Sequence, residues 1–170
     1  PESGWLQNAN DPPWTTTFPK VLFRENFPQY MSKNFMHFRA QRSARMLYED
    51  SSITYDELIA YKLSTRMELA DRLLDELLET ARESNQQIVL EAAEVLKQWD
   101  RNSNAASGGA VLFQEWADEM ELAVNKSDLF AVPWNENDPM NTPTGLADPW
   151  GAVRKLETAA KKVKETYGYL

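Results

Sequence analysis

In "GWLQNANDPPW", residues 4–14, the side-chain amides of Gln7, Asn8 and Asn10 stand between aromatic residues and ahead of an Asp-Pro-Pro turn. An amide N–H held rigidly by such a turn can be aimed at developing negative charge. That is the working part of an oxyanion hole, worth about 3–4 kcal/mol. Extended backbone would place Asn8 and Asn10 on one face and Gln7 on the other. The competing reading is an Asx turn, in which Asn10 bonds only its own backbone. The stretch alone leaves both open.

Arg42 is the second residue of interest. Residues 32–48 read as a helix, on which Arg42 falls within the arc of Phe35, Phe38 and Met46. Met36, Ala40 and Leu47 form another apolar arc, so this helix is expected to be buried on two sides. A guanidinium there either snorkels to water or meets a fixed partner inside a site. Other chemistry is scarce. His37 is the single histidine and cysteine is absent, so no histidine triad, thiolate nucleophile or thiolate metal site is available within these residues. The acidic runs "DELLE" and "EWADEME" read as solvated helix faces, and Asn125-Lys126-Ser127 is a glycosylation sequon of the kind chance produces easily.

The elements that must position these residues are helical. Residues 1–30 form a turn-rich, aromatic arm (Gly4, Pro12, Pro13, Pro19, Pro28) expected to lie against something, inside or outside the chain. Thr54 with Glu57 predicts a capping box. Thr65 with Glu68 predicts a second, opening a helix to about Arg82 with Met67, Ala70, Leu74, Leu77 and Ala81 on its apolar stripe and Leu69 and Leu73 widening it. Ile88, Ala92, Val95, Leu96 and Trp99 mark the next helix, "RNSNAASGG" (101–109) a flexible connection, and 110–124 a further helix. A Pro/Asn-rich loop spans 132–149. Asp148 and Pro149 then open a last helix with Val153, Leu156, Ala160, Val163 and Tyr167 on one face and Gly168 as its stop. No strand or repeat is legible. The expected fold class is mainly α, about five or six helices behind a turn-rich arm, organised as an arm (1–30) and a helical region (31–170).

The 170 residues suffice for a domain with a sizeable core, and 42% hydrophobic with 26% charged residues is an ordinary globular balance. Eighteen basic against 26 acidic residues give a net charge of −8, which argues against nucleic acid and anionic membrane surfaces as partners. No apolar run is long enough to span a bilayer.

"GWLQNANDPPW" resembles the Gly-x-x-Gln-Asn-x-Asn-x-x-Pro segment in the β-chain of the penicillin acylase family of N-terminal nucleophile hydrolases, which includes acyl-homoserine-lactone acylases. "FRAQRSARML" is similar to the family's arginine-bearing helix, "SSITYDELIA" to its next helix start, and "EAAEVLKQWDRNSNAASGGAVLFQEW" to its helix–loop–helix. The terminal "YGYL" resembles the approach to a following segment, and all five stretches keep the family's order.

The resemblance implies a helical segment of an αββα hydrolase that cleaves the amide of a β-lactam or N-acyl-homoserine-lactone type substrate. It implies that Asn10 is the oxyanion donor, that Arg42 helps order that amide and the nucleophile's amine, and that Trp14 lines or backs the acyl pocket. The family's nucleophile is an N-terminal serine. With Pro1 at the start, the serine is expected upstream and these residues alone are expected to be inactive. The implied partners are the remainder of the β-chain, the α-chain and the amide substrate, with a homodimer of the excised segment as an option. No cofactor is expected. Calcium, which some members hold, finds only Asp11 and Glu25 as available carboxylates. The implied location is bacterial, periplasmic or secreted. A helical protein-interaction module, without enzymatic activity, is the alternative.

Overall fold

The computed structural model describes residues 2–123 and 126–170. Pro1, Val124 (the expected end of a helix) and Asn125 (the sequon asparagine) lie outside the described residues. Among the described residues six helices occur: α1 (Phe38–Glu49), α2 (Tyr55–Lys62), α3 (Glu68–Ala81), α4 (Gln87–Gln98), α5 (Gly108–Glu119) and α6 (Pro149–Tyr167). The fold is mainly α, as the sequence predicts.

Helices α3, α4, α5 and α6 pack on one another around the main core. The stripe of α3 is buried at Ala70, Leu73, Leu74, Leu77, Leu78 and Ala81, widening the expected face by Leu78. On α4 the buried face is Val89, Ala92, Ala93 and Leu96, turned so that Ile88 and Val95 sit half-buried at its edge. Aromatic rings join α4 to α5: Trp99 lies 5.2 Å from Phe113, which lies 5.2 Å from Trp116. This contact requires glycine at position 109, where a Cβ would come within 2.5 Å of Trp99. The buried Trp116 indole N–H donates to the Ala152 carbonyl at 3.0 Å, so it satisfies one backbone acceptor in the first turn of α6 while filling the core.

The capping chemistry was partly legible. Thr54 and Glu57 form the reciprocal box that opens α2. Asp148 accepts from the Gly151 amide, and Gly168, at φ +84°, ends α6. The box expected at Thr65 and Glu68 does not form: Met67 occupies the N-cap position without a side-chain cap. Glu68 is instead drawn into ion pairs with Arg45 and Arg72, and Thr65 bonds Asn104. Tertiary partners outbid the local motif. Tyr167, expected on the buried face of α6, is 57% exposed because the helix overruns the core there.

Three other expectations change. The helix expected over 32–48 begins only at Phe38, because Met36 is committed to a second small core and Asn34 to the Trp14 indole. The 101–109 connection is tied down: Arg66 and Asn102 form a β-bridge, Met67 donates to the Arg101 carbonyl and Ser103 to that of Thr65. Within and beside the 132–149 loop a two-stranded antiparallel ribbon forms, β1 (Phe130–Val132) with β2 (Thr144–Leu146). Strands of three residues are too short to show a period-two pattern. The helix expected over 110–124 starts two residues earlier and stops at Glu119.

The arm lies against its own chain. Phe18, Met36, Ala40 and Ala44 form the second core, with Trp5, Ala9, Trp134 and Met140 against it. Phe23 and Tyr30 remain exposed.

Candidate active site

The amide-rich stretch is organised by Asp11. Its carboxylate accepts from the Gln7 side chain (3.0 Å), the Thr15 hydroxyl (2.8 Å) and the Ala9 amide (3.1 Å). Gln7 is buried and donates a second bond to the Thr15 carbonyl at 2.9 Å. Pro12 and Pro13 restrict the chain just after Asp11, and a 3-10 turn at Pro13–Thr15 closes the loop. The Asx role falls to Asn8, whose Oδ1 accepts from the Asn10 amide at 2.9 Å. Asn10 therefore does not need its own side chain to make the turn.

Asn10 adopts φ +69° rather than the extended form, a conformation that asparagine tolerates better than most residues. Its Oδ1 accepts from Arg39 Nη2 at 2.7 Å, and the same nitrogen donates to the Ala9 carbonyl at 2.9 Å. One arginine thus holds both the amide and the backbone beside it. With Oδ1 engaged by a cation, the Asn10 Nδ2 is oriented as a donor and meets no acceptor among the described residues.

Arg39 sits in the first turn of α1, three residues before Arg42. Helical periodicity does not mark Arg39, which stands at the rim of the apolar arc that holds Arg42. The better signal was proximity of chain: an arginine at the start of the helix that receives the arm can reach the arm's carbonyls. Arg42 makes no hydrogen bond to Asn10. It is half-buried, its Nε is wholly buried without a partner, and it borders a groove of about 630 Å³. Asn8, Ala9 and Arg39 line that groove together with Arg42 and Met46 of α1 and with Lys62 and Met67.

Under the groove lies a buried charge cluster. Glu68, with a side chain only 2% exposed, receives Arg45 Nε at 3.2 Å and Arg72 Nη2 at 2.9 Å. Arg45 also donates to the Met140 carbonyl at 2.6 Å, and Gln41 to that of Thr142 at 2.9 Å, so the cluster pins the 138–142 loop across α1 and α3. Burial pulls the Arg72 pKa below its ordinary value, and Glu68 offsets this only in part. Burial also opposes the Arg45 charge, but Glu68 and Glu49 outweigh it and leave that pKa raised. The two arginines differ because Arg72 is the more enclosed.

The family model described as penicillin amidase matches residues 1–168. The chain belongs to the penicillin amidase family. That membership makes it part of an amidohydrolase family. The match takes in the whole arm, α1 and the groove, so the Asn10–Arg39 pair lies inside the amidase region. Of the remaining residues singled out in the sequence, Trp14 is 3% exposed, packs 5.7 Å from Phe27 and donates to Asn34 at 2.8 Å. It does not border the groove. Asp11 is engaged in the amidase arm's own turn, and His37 is exposed and stacks edge-on against Phe35.

Proposed function

We propose that this penicillin amidase segment supplies the side-chain oxyanion donor of an N-terminal serine amidohydrolase. The serine hydroxyl, on the portion of the protein that precedes these residues, adds to the amide carbonyl and passes its proton to its own α-amine. An α-amine has an ordinary pKa of about 8, so it can act as base near neutral pH without a cofactor. The Asn10 Nδ2 donates to the tetrahedral oxyanion. Collapse expels the leaving amine with that proton, and water then hydrolyses the acyl ester by the same steps in reverse.

The observation that carries this reading is the Asn10–Arg39 pair. Arg39 fixes the amide's oxygen, which leaves its N–H as the group free to donate, and a cation on the oxygen polarises the N–H further. Arg42, whose side chain lies beside Arg39 on the groove, supports the site's positive potential in this reading. Trp14 backs the arm from behind. The α-chain and the rest of the β-chain would meet faces such as α2, which has no buried residue and exposes Tyr55, Leu58, Ile59 and Leu63. The implied substrates are acyl amides of the β-lactam or homoserine-lactone type, met in a bacterial periplasm or outside the cell.

The test is Asn10→Gly in the whole acylase, because glycine keeps φ +69° without strain while removing the amide. Loss of one oxyanion donor lowers kcat by about 10²–10³-fold with little change in KM. Undiminished kcat would remove Asn10 from the mechanism.

A further inference from the structure

Asp11 does more in the arm than its own turn needs. That turn is closed by Pro12 and Pro13 and by backbone bonds from Thr15 N to the Pro12 carbonyl (3.0 Å) and Thr16 N to the Pro13 carbonyl (3.4 Å). The two carboxylate oxygens divide their work. Oδ2 is anchored in the arm, by the Gln7 side chain at 3.0 Å and the Thr15 hydroxyl at 2.8 Å. Oδ1 reaches backward to the Ala9 N–H at 3.1 Å, one residue ahead of Asn10. Side chains thus hold both peptides that lead into Asn10: Asp11 and Asn8 take the Ala9 and Asn10 N–H groups, and Arg39 donates to the Ala9 carbonyl. Asn10 at φ +69° needs such holding, because a non-glycine residue stays there only when its surroundings over-determine it. The anchor is also costly. Gln7 is buried, and while its Nε2 serves Asp11 and the Thr15 carbonyl, its Oε1 is buried with no partner among the described residues. An apolar side chain at position 7 would avoid that orphaned acceptor but would leave Asp11 without a donor.

We propose that Asp11 is a positioning residue for the oxyanion donor: anchored through Oδ2 to Gln7 and Thr15, it holds through Oδ1 the backbone that sets the Asn10 side chain. It touches no reacting atom and acts on turnover only through Asn10. This rests on the amidohydrolase reading above.

The test uses the whole acylase and a chromogenic acyl anilide, with active sites titrated so that rates refer to folded enzyme. Asp11→Ala lowers kcat by about 10-fold, less than Asn10→Gly because the amide is loosened rather than lost, and leaves KM nearly unchanged. An alkylboronic acid, whose boron takes the serine oxygen and becomes a tetrahedral anion as the serine proton passes to the α-amine, loses affinity by a similar factor. In the Asn10→Gly background Asp11→Ala costs nothing further. Thr15→Val, a nearly isosteric change at a buried position, frees one of the two anchors of Oδ2 and acts in the same direction more weakly, so the proposal stays testable if Asp11→Ala does not fold. A role in the fold alone lowers the urea midpoint and the number of titratable sites while kcat per site and boronate affinity stay at wild type, and that result overturns the proposal. Multiplication of the Asp11→Ala and Asn10→Gly losses, or failure of both Asp11→Ala and Thr15→Val to give titratable enzyme, overturns it too. If Asn10→Gly suppresses cleavage and Asp11→Ala does not, only the positioning role is lost. If Asn10→Gly keeps wild-type kcat, the oxyanion reading falls and this inference with it.

Discussion

Arg39 offers the sharpest test of how the oxyanion donor is held. A single Nη2 donates to the Asn10 Oδ1 at 2.7 Å and to the Ala9 carbonyl at 2.9 Å, so one group fixes both the side chain and the backbone that carries it. Hydrogen bonds from a charged donor contribute about 1.5–3 kcal/mol each. Arg39 is exposed, and solvent screening places the pair toward the lower end of that range. Loss of orientation in Arg39→Met then lowers kcat by about 10–10²-fold, with KM nearly unchanged, since the amide works only in the transition state. Because Arg39 acts through Asn10, the double variant Arg39→Met/Asn10→Gly loses no more than Asn10→Gly alone. Independent action would multiply the two losses to about 10³–10⁵-fold. Single-turnover and steady-state rates on a chromogenic amide, measured on the whole acylase, distinguish the two. Multiplicative losses, or an Arg39→Met enzyme with wild-type kcat, would refute the positioning role. Arg39→Lys should recover only part of the rate, because an ammonium lacks the planar fork.

Two further predictions concern the scaffold. Glu68→Ala leaves Arg72, 7% exposed at its side chain, and Arg45 without their shared carboxylate, and should destabilise the fold by about 3–5 kcal/mol, read as a lower urea midpoint. Glu68→Gln, which keeps the size but not the charge, should fall between Glu68→Ala and the wild type. Acid should weaken the fold from about pH 4 downward, through carboxylates whose pKa the fold lowers. Asp50, bonded by the Tyr61 hydroxyl, and Asp100, bonded by the Asn102 side chain, are two of these. A folded pKa below the unfolded one stabilises above the unfolded pKa and is lost as pH falls through the folded value, so Asp50→Asn should flatten the acid limb of the stability curve.

Much of the helical frame was written locally. The stripe on α3 and the caps at Thr54 and Asp148 depend on residues three or four apart, which meet within one turn whatever surrounds them. The rigidity of "QNANDPPW" was legible for the same reason: Asp11 bonds residues no more than four positions away. Long-range contacts decided the rest. Nothing in the spacing of Thr65 and Glu68 reveals that Arg45, 23 residues before Glu68, would take that carboxylate from the capping box. The three-residue strands β1 and β2 exist because α3 gives β2 a surface, β1 pairs with β2, and Glu76 accepts from the Leu146 amide at 2.8 Å. The choice of Arg39 over Arg42 as the partner of Asn10 was decided in the same way. Sequence periodicity reports which side of a helix is apolar, whereas reaching Asn10 depends on where the arm crosses α1. That crossing is set by Phe18, Met36, Ala40 and Ala44 packing together, and only the folded chain brings them into contact.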